Sequence, residues 1–276
     1  MEVANTIAKM KAWRSSTMGS VGFVPTMGYL HEGHISLVKQ SRKENDLTAV
    51  SIFVNPTQFG PREDFKTYPR DTERDLRLLK EVGADVVFMP EPEEMYPDNY
   101  STWVDVEKLT TRMEGEVRPG HFRGVTTVVN KLFNIVEPTR SYFGQKDAQQ
   151  ALVLQKMAVD LNMNLEVIVL PTIREPDGLA MSSRNVYLDT QQRKSAVILY
   201  KSLNLASDLR KQGEKDAIRI KQKMTELINT EPLGTIDYIS IADTVTLEEL
   251  SVIKGKALVS LAVRFGKTRL IDNFII

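Results

Sequence analysis

Short unbroken apolar runs alternate along this chain with longer stretches in which apolar side chains recur every three or four positions. Val21-Gly22-Phe23-Val24 is the first run, and Leu47–Val54, β-branched and nearly continuous, is the second. Runs of this kind mark strands covered on both faces. Asp85-Val86-Val87-Phe88-Met89, Arg140–Phe143 and Leu165–Leu170 repeat the pattern. Between them the helical period takes over. Val3, Ile7, Met10 and Trp13 predict an amphipathic helix over residues 3–14, and Ile35, Leu37 and Val38 begin one that reaches about Asn45. Leu76, Leu79 and Val82 share one side of Asp71–Val82, and Thr126–Val136 and Asp147–Asp160 complete the helical series. Residues 91–123 are broken repeatedly by proline and glycine, and a loop-rich insertion of that length commonly serves binding.

Strand and helix alternate through about residue 175, which predicts an α/β fold with a doubly wound parallel sheet and helices on both faces. The character changes after the Glu-Pro-Asp-Gly turn at 175–178. Two polar-faced helices, Gln191–Gln212 and Glu214–Asn229, precede strands at Ile236–Ile241, Ala257–Val263 and Leu270–Ile276. That is the pattern of a smaller C-terminal α+β domain. The predicted domains are therefore residues 1–175 and 176–276. Ligands of open parallel sheets bind beyond the carboxyl ends of the strands. The loops at 26–34, 55–71, 119–124 and 144–150 are the candidates.

Composition narrows the function. A hydrophobic content of 42% over 276 residues is ample for a core. Lysine plus arginine equals aspartate plus glutamate at 36 each, so the basic footprint of a general nucleic-acid binder is missing. The chain has no cysteine, which excludes a disulfide framework, thiol catalysis and thiolate metal sites. It holds no apolar run of the ~20 residues that cross a bilayer, and Met1–Asn5 has no cationic segment leading into an apolar one. The expectation is a cytoplasmic protein with neither a membrane nor a nucleic-acid partner. With three histidines and no His-Glu-x-x-His helix, no resident metal is expected, whereas Mg2+ can arrive with ATP, held by phosphates and water.

The candidate chemistry starts at Pro25-Thr26-Met27-Gly28-Tyr29-Leu30-His31-Glu32-Gly33-His34, where a strand hands over to a helix. Free N–H groups and the positive helix end favour an anion there, and imidazoles add donors. The His-x-Gly-His spacing matches the signature of the Rossmann-like nucleotidylyl transferases, which makes this a candidate nucleotide-phosphate site. Phe143-Gly144-Gln145-Lys146-Asp147 repeats the logic: a strand ends, glycine permits close approach, and Lys146 offers a compact cation. Asp147 serves as helix N-cap, as ligand, or as both. Met181-Ser182-Ser183-Arg184 is either a solvated turn or a polyphosphate loop, and the company of two other phosphate-competent loops favours the second. Gln58 and Gln150 are either surface glutamines or a pair that orients a hydroxylated acid. His121 reads as structural, and Arg123 as a partner for carboxylate or phosphate.

Taken together in order, these motifs resemble the pantoate–β-alanine ligase (pantothenate synthetase) family from about Gly22 to Ile276. Phe53-Val54-Asn55-Pro56-Thr57-Gln58-Phe59, Tyr68-Pro69-Arg70-Asp71, His121-Phe122-Arg123-Gly124-Val125, Phe143–Gln150 and Asp177–Asn185 carry the resemblance beside the histidine loop. It implies a Rossmann-like fold and an ATP-dependent ligase. Pantoate attacks the α-phosphate, pyrophosphate leaves, and β-alanine then converts the pantoyl adenylate to pantothenate and AMP. By the same resemblance Met27, Gly28, Tyr29, Leu30, His31, Glu32, Gly33 and His34 line the ATP site. His31 and His34 donate to phosphate, and His34 is the proton donor. Gly144, Gln145, Lys146, Asp147, Ile173, Met181, Ser182, Ser183 and Arg184 also hold ATP, while Gln58 and Gln150 grip pantoate and Gln58 serves the β-alanine subsite. Gln145 stands where the family often has glutamate. The resemblance further implies a homodimer and a C-terminal domain acting as a lid. A nucleotidylyl transferase that stops at nucleotide transfer, and a non-catalytic nucleotide-binding module, are the rival readings of the histidine loop.

Overall fold

The computed structural model describes residues 1–61 and 63–276. The apolar runs become strands of a parallel sheet. β1 (Glu2–Ala4), β2 (Val21–Thr26), β3 (Leu47–Ile52), β4 (Val86–Phe88), β5 (Arg140–Gly144) and β6 (Glu166–Leu170) lie in the order β1-β4-β3-β2-β5-β6. Phe23 pairs with Ala49 and Ala49 with Val86, and Val24, Val50 and Val87 align one residue further on. Alternation sends these two sets to opposite faces, and both are fully buried. The strand order reverses between β2 and β5, the kind of switch point at which α/β sheets bind ligands.

The helices of this part are α1 (Ile7–Ser16), α2 (Glu32–Glu44), α3 (Thr72–Val82), the single turns α4 (Pro92–Met95) and α5 (Glu114–Val117), α6 (His121–Val136) and α7 (Ala148–Asp160). Leu37 and Val38 of α2 and Leu79 of α3 close over Val24, Val50 and Val87. Start signals act where they stand. The Thr6 side chain accepts the Lys9 N–H at 3.2 Å to open α1, and Asp71 accepts that of Arg74 at 3.1 Å to open α3.

Two expectations are corrected here. Residues 3–14 are not one helix, because Glu2–Ala4 pairs in parallel with β4 as an edge strand before Thr6 caps α1. α6 begins at His121 rather than Thr126, since Gly120 at φ 82° turns the chain directly into the helix. His121 and Arg123 thus belong to the first turn of α6 and not to the loop before it.

The chain divides into two compact units, Met1–Gln145 with Gln149–Pro171, and Lys146–Ala148 with Thr172–Ile276. The second unit contains α8 (Thr190–Ser195), α9 (Ile198–Lys211), α10 (Ala217–Ile228) and an antiparallel sheet β7 (Gly234–Asp243), β8 (Ala257–Phe265), β9 (Thr268–Ile275). Leu199, Leu203, Ile220 and Met224 from the helices bury against Ile239, Ile241, Val259 and Leu261 from the sheet. The expected helix Gln191–Gln212 is divided at Ala196 and Val197. Both keep φ −61°, so the interruption lies in hydrogen bonding and not in backbone hand.

α6 approaches the 3-10 turn Pro56–Gln58 so closely that only glycine fits at the contact. A Cβ at Gly124 would stand 2.4 Å from the Thr57 carbonyl oxygen and 2.7 Å from Gln58 Cα. Gly124→Ala is expected to destabilise the fold by about 1–3 kcal/mol, the usual cost of overpacking. Urea unfolding measures it, and an unchanged midpoint would contradict this close approach.

Candidate active site

The turn after β2 is built from backbone amides given to fixed acceptors. Thr26 Oγ1 donates to the Ser51 carbonyl at 2.7 Å and accepts the Gly28 N–H at 3.2 Å. Asp75 of α3, 1% exposed, accepts the N–H groups of Tyr29 at 2.7 Å and Leu30 at 2.8 Å. Burial pushes the Asp75 carboxyl above its ordinary value, against the pull of those two amides and of Arg74. Gly28 and Tyr29 take φ values of 82° and 51°, a left-handed pair that a glycine eases. Arg74 stands over the Tyr29 ring, 5.6 Å from its centroid.

From this turn the chain enters α2 with His31 as N-cap. His31 Nδ1 accepts the Gly33 N–H at 3.1 Å, and His34 Nδ1 accepts the His31 N–H at 3.3 Å. A nitrogen that accepts carries no proton, so in the neutral rings the proton resides on Nε2. Each imidazole therefore offers an Nε2–H donor at the positive end of α2. The ring centroids are 4.1 Å apart. Glu32 is exposed in the first turn of this helix.

Gln58 is neither on the surface nor loosely held; it is a buried member of a polar network in the first unit. Its Oε1 accepts from Asn55 Nδ2 at 3.1 Å, and its Nε2 donates to Met27 Sδ at 3.1 Å. The loops after β2 and β3 thus meet. Asn55, 1% exposed, also donates to the Gly124 carbonyl at 3.1 Å and accepts from Tyr96 Oη at 2.8 Å. Burial pushes the Tyr96 hydroxyl up to about 12, so Tyr96 remains a donor.

Behind Gln58 stands a chain of charges. Arg118 grips Glu63 with two bonds, Nε to Oε1 at 2.7 Å and Nη2 to Oε2 at 2.8 Å. Burial alone would raise the Glu63 carboxyl, but the Arg118 bonds outweigh it and hold Glu63 below its ordinary value. Arg118 Nη1 lies 3.0 Å from His121 Nε2, and a guanidinium only donates. His121 Nδ1–H therefore donates to the Gln58 carbonyl at 2.9 Å. Burial, then the Arg118 charge, pull the imidazole down to about 4.

Gln150 is half-buried on α7. Its neighbour Gln149 latches the preceding insertion, donating to the Leu109 and Arg112 carbonyls at 2.8 Å each and accepting the Glu114 N–H at 3.0 Å. Arg123 is on the exposed side of α6, its guanidinium 4.8 Å from the centroid of Trp103. The carboxyl end of β5 opens to space, for a Cβ at Gly144 would have nothing within 4 Å. Gln145 begins the 3-10 turn Gln145–Asp147.

In the second unit, Lys146 Nζ lies 3.4 Å from Asp147 Oδ1. Asp147 sits inside that 3-10 turn, directly before α7. Ile173 accepts the Met181 N–H at 3.0 Å through its carbonyl, which makes a narrow two-stranded neck. Ser182 caps the turn Ser183–Tyr187, its Oγ accepting the Arg184 N–H at 3.3 Å. Ser183 is buried, and Asn185 Nδ2 ties the segment to Glu175 at 2.9 Å and the Ala180 carbonyl at 3.1 Å. This is a braced turn, not a solvated one. Sequence reasoning missed Asp75, Asn55 and Arg118 as organisers of these loops. Asp75 lies among the charges of Asp71–Val82 and Asn55 directly before Pro56, and neither position carries a local spacing signal.

Comparison with known proteins bears on the chain as a whole. The sequence pattern of the family described as pantoate-beta-alanine ligase matches residues 2–275. The pantothenate synthetase of Acetivibrio thermocellus is 60% identical over 100% of this chain and 99% of its own length. That of Pelotomaculum thermopropionicum is 57% identical over the same shares. Among solved structures, pantothenate synthetase from Thermus thermophilus superposes with a TM-score of 0.95 at 48% identity, covering 99% of both chains. Pantoate-beta-alanine ligase from Francisella tularensis, complexed with beta-gamma ATP and beta-alanine, gives 0.83 at 35% identity over 100% of this chain and 97% of that one.

The tautomer and burial of His121 make the first unit sensitive to acid. Its pKa falls from an ordinary 6.5 to about 4 on folding, so neutral His121 contributes stability that is present above pH 6.5 and is lost as pH falls toward 4. The full loss is about 3 kcal/mol. Denaturant titrations of the wild type and His121→Asn are expected to show a stability gap that narrows across this window. A gap constant with pH would contradict the neutral, buried state of His121.

Proposed function

The chain belongs to the pantoate–β-alanine ligase family, and we propose that it joins pantoate to β-alanine through a pantoyl-adenylate intermediate, releasing pyrophosphate and AMP. In the first step a pantoate carboxylate oxygen forms a bond to the α-phosphorus of ATP while the bond to the bridging oxygen breaks and pyrophosphate leaves. In the second, the β-alanine amine bonds to the acyl carbon, AMP departs with the carboxylate oxygen, and the new amide sheds a proton. A carboxylate is already ionised at neutral pH, so the first step needs alignment and donors rather than a strong base.

The observation that carries this reading is the pair of imidazoles whose Nδ1 atoms are taken by backbone N–H groups at the start of α2. Nε2–H donors from His31 and His34 meet the phosphate oxygens, with His34 as proton donor to the charge that develops there. Met27, Gly28, Tyr29, Leu30, Glu32 and Gly33 line the nucleotide. Lys146 neutralises phosphate charge; Gly144, Gln145, Asp147, Ile173, Met181, Ser182, Ser183 and Arg184 complete the ATP contacts. Gln58 and Gln150 orient pantoate, Arg123 meets carboxylate or phosphate, and the amide of Gln58 also serves β-alanine. Mg2+ enters with ATP on phosphate oxygens and water. The reading extends to a homodimer on the same family ground, and to a cytoplasmic location.

Pyrophosphate release measured with pantoate and ATP, with and without β-alanine, tests the order of steps. Release on the enzyme without β-alanine, and AMP only with it, is the expected result. His34→Ala and Lys146→Ala are expected to slow adenylate formation by about 10²-fold or more, the scale of a lost preorganised donor. A loss below threefold in both would contradict the site.

A further inference from the structure

The last strand carries two adjacent buried polar side chains that the mechanism above leaves unused. Asp272 and Asn273 are 2% and 4% exposed. Polar groups so placed must be paired, and these two pair with separate segments of the second unit. Asn273 Nδ2 donates to the Lys146 carbonyl at 2.9 Å, and the Asn273 backbone N–H donates to Asp272 Oδ1 at 2.8 Å. The Asp272 carboxylate receives Arg174 with both arms, Nη1 to Oδ2 at 2.6 Å and Nη2 to Oδ1 at 2.9 Å.

Arg174 passes this anchorage on. Its guanidinium lies 5.0 Å from each of the ring centroids of Tyr200 and Phe274 and donates to the Gly178 carbonyl at 3.0 Å. Its backbone pairs with Ala180, and the next bond along, Met181 N–H to the Ile173 carbonyl, leads into Ser182. Lys146 and the Met181–Arg184 turn are thus referred to one pair of neighbouring residues on β9.

We propose that Asn273 is a positioning residue for Lys146, and that Asp272, acting through Arg174, holds the Met181–Arg184 turn in the same frame. Lysine is a point charge on a flexible stem, so where its ammonium reaches depends on where its backbone is held. The 3-10 turn Gln145–Asp147 lies outside the strands of the sheet, and the Asn273 amide ties its Lys146 carbonyl to β9. Burial raises the Asp272 carboxyl above its ordinary value, opposed first by the Arg174 bonds and charge and last by the Lys146 charge. A displacement on the order of 1 Å at a charge that must meet a phosphate costs about 10²-fold; a tether lost from a turn still held at both ends costs less.

The proposal rests on the reading of Lys146 as a phosphate-holding cation, and a double-mutant cycle separates the two. Steady-state pyrophosphate release is measured for Lys146→Ala, Asn273→Ala and the double variant, with Asn273→Ser, which keeps a donor, in the same cycle. Asn273→Ala is expected to lower kcat/KM for ATP about tenfold while leaving KM for pantoate within about twofold, and Asn273→Ser to recover part of the loss. In the Lys146→Ala background the Asn273 substitutions are expected to cost less than about twofold, since the group they position is gone. A tenfold cost that persists there, or no cost in the wild-type background, overturns the positioning role while leaving Lys146 in place. A harmless Lys146→Ala overturns the phosphate reading, and the proposal with it.

Discussion

Two backbone amides determine what the imidazoles of His31 and His34 can do. By donating to the Nδ1 atoms, the N–H groups of Gly33 and His31 leave Nε2 as the place for each ring proton. The rings are then held as Nε2–H donors at a helix start, which is where the proposed function needs donors to a phosphate. That is what preorganisation requires. The arrangement depends in turn on the path of the chain into α2. The left-handed Gly28–Tyr29 pair sets that path, and Asp75 holds it by taking the amides of Tyr29 and Leu30. A buried carboxylate in one helix therefore braces the turn that leads into the two histidines of another.

The third histidine shows the same physics with the opposite result. His121 faces a guanidinium that can only donate, so its Nε2 accepts and its Nδ1–H donates to the Gln58 carbonyl. Arg118 is satisfied by Glu63 on the far side, and the chain of charges ends on a backbone carbonyl. The family resemblance assigns Gln58 to pantoate, an acid, and the residue is held without placing a net charge of its own there. In the second unit Asp272, Arg174 and Asn273 form a comparable brace under Lys146 and the Met181–Arg184 turn. In each unit, loops to which the proposed function assigns the chemistry are held by buried polar groups.

Much of the fold could be read from the hydrophobic pattern, for a physical reason. Strands buried on both faces, such as Val21–Thr26 and Leu47–Ile52, need continuous apolar runs, and their short length and β-branched content set them apart from helices. The edge strand Glu2–Ala4 could not be read, because its three residues pair on one side only and offer no run. The histidine loop was legible because its partners are local, with two rings three residues apart at a helix start. Asp75, Asn55, Arg118 and Asn273 were not, since their decisive bonds span 46, 69, 55 and 127 residues of chain. A spacing rule cannot see a contact that only the fold creates.

The most direct test of the account is the protonation pattern of the three histidine rings, read by nitrogen-15 NMR in mildly alkaline solution. Substituting each histidine in turn assigns the signals. The account expects His31 and His34 to carry the proton on Nε2 with Nδ1 unprotonated, and His121 to show the reverse. A protonated Nδ1 in neutral His31 or His34 would contradict it, because the backbone amides would then not be holding those rings.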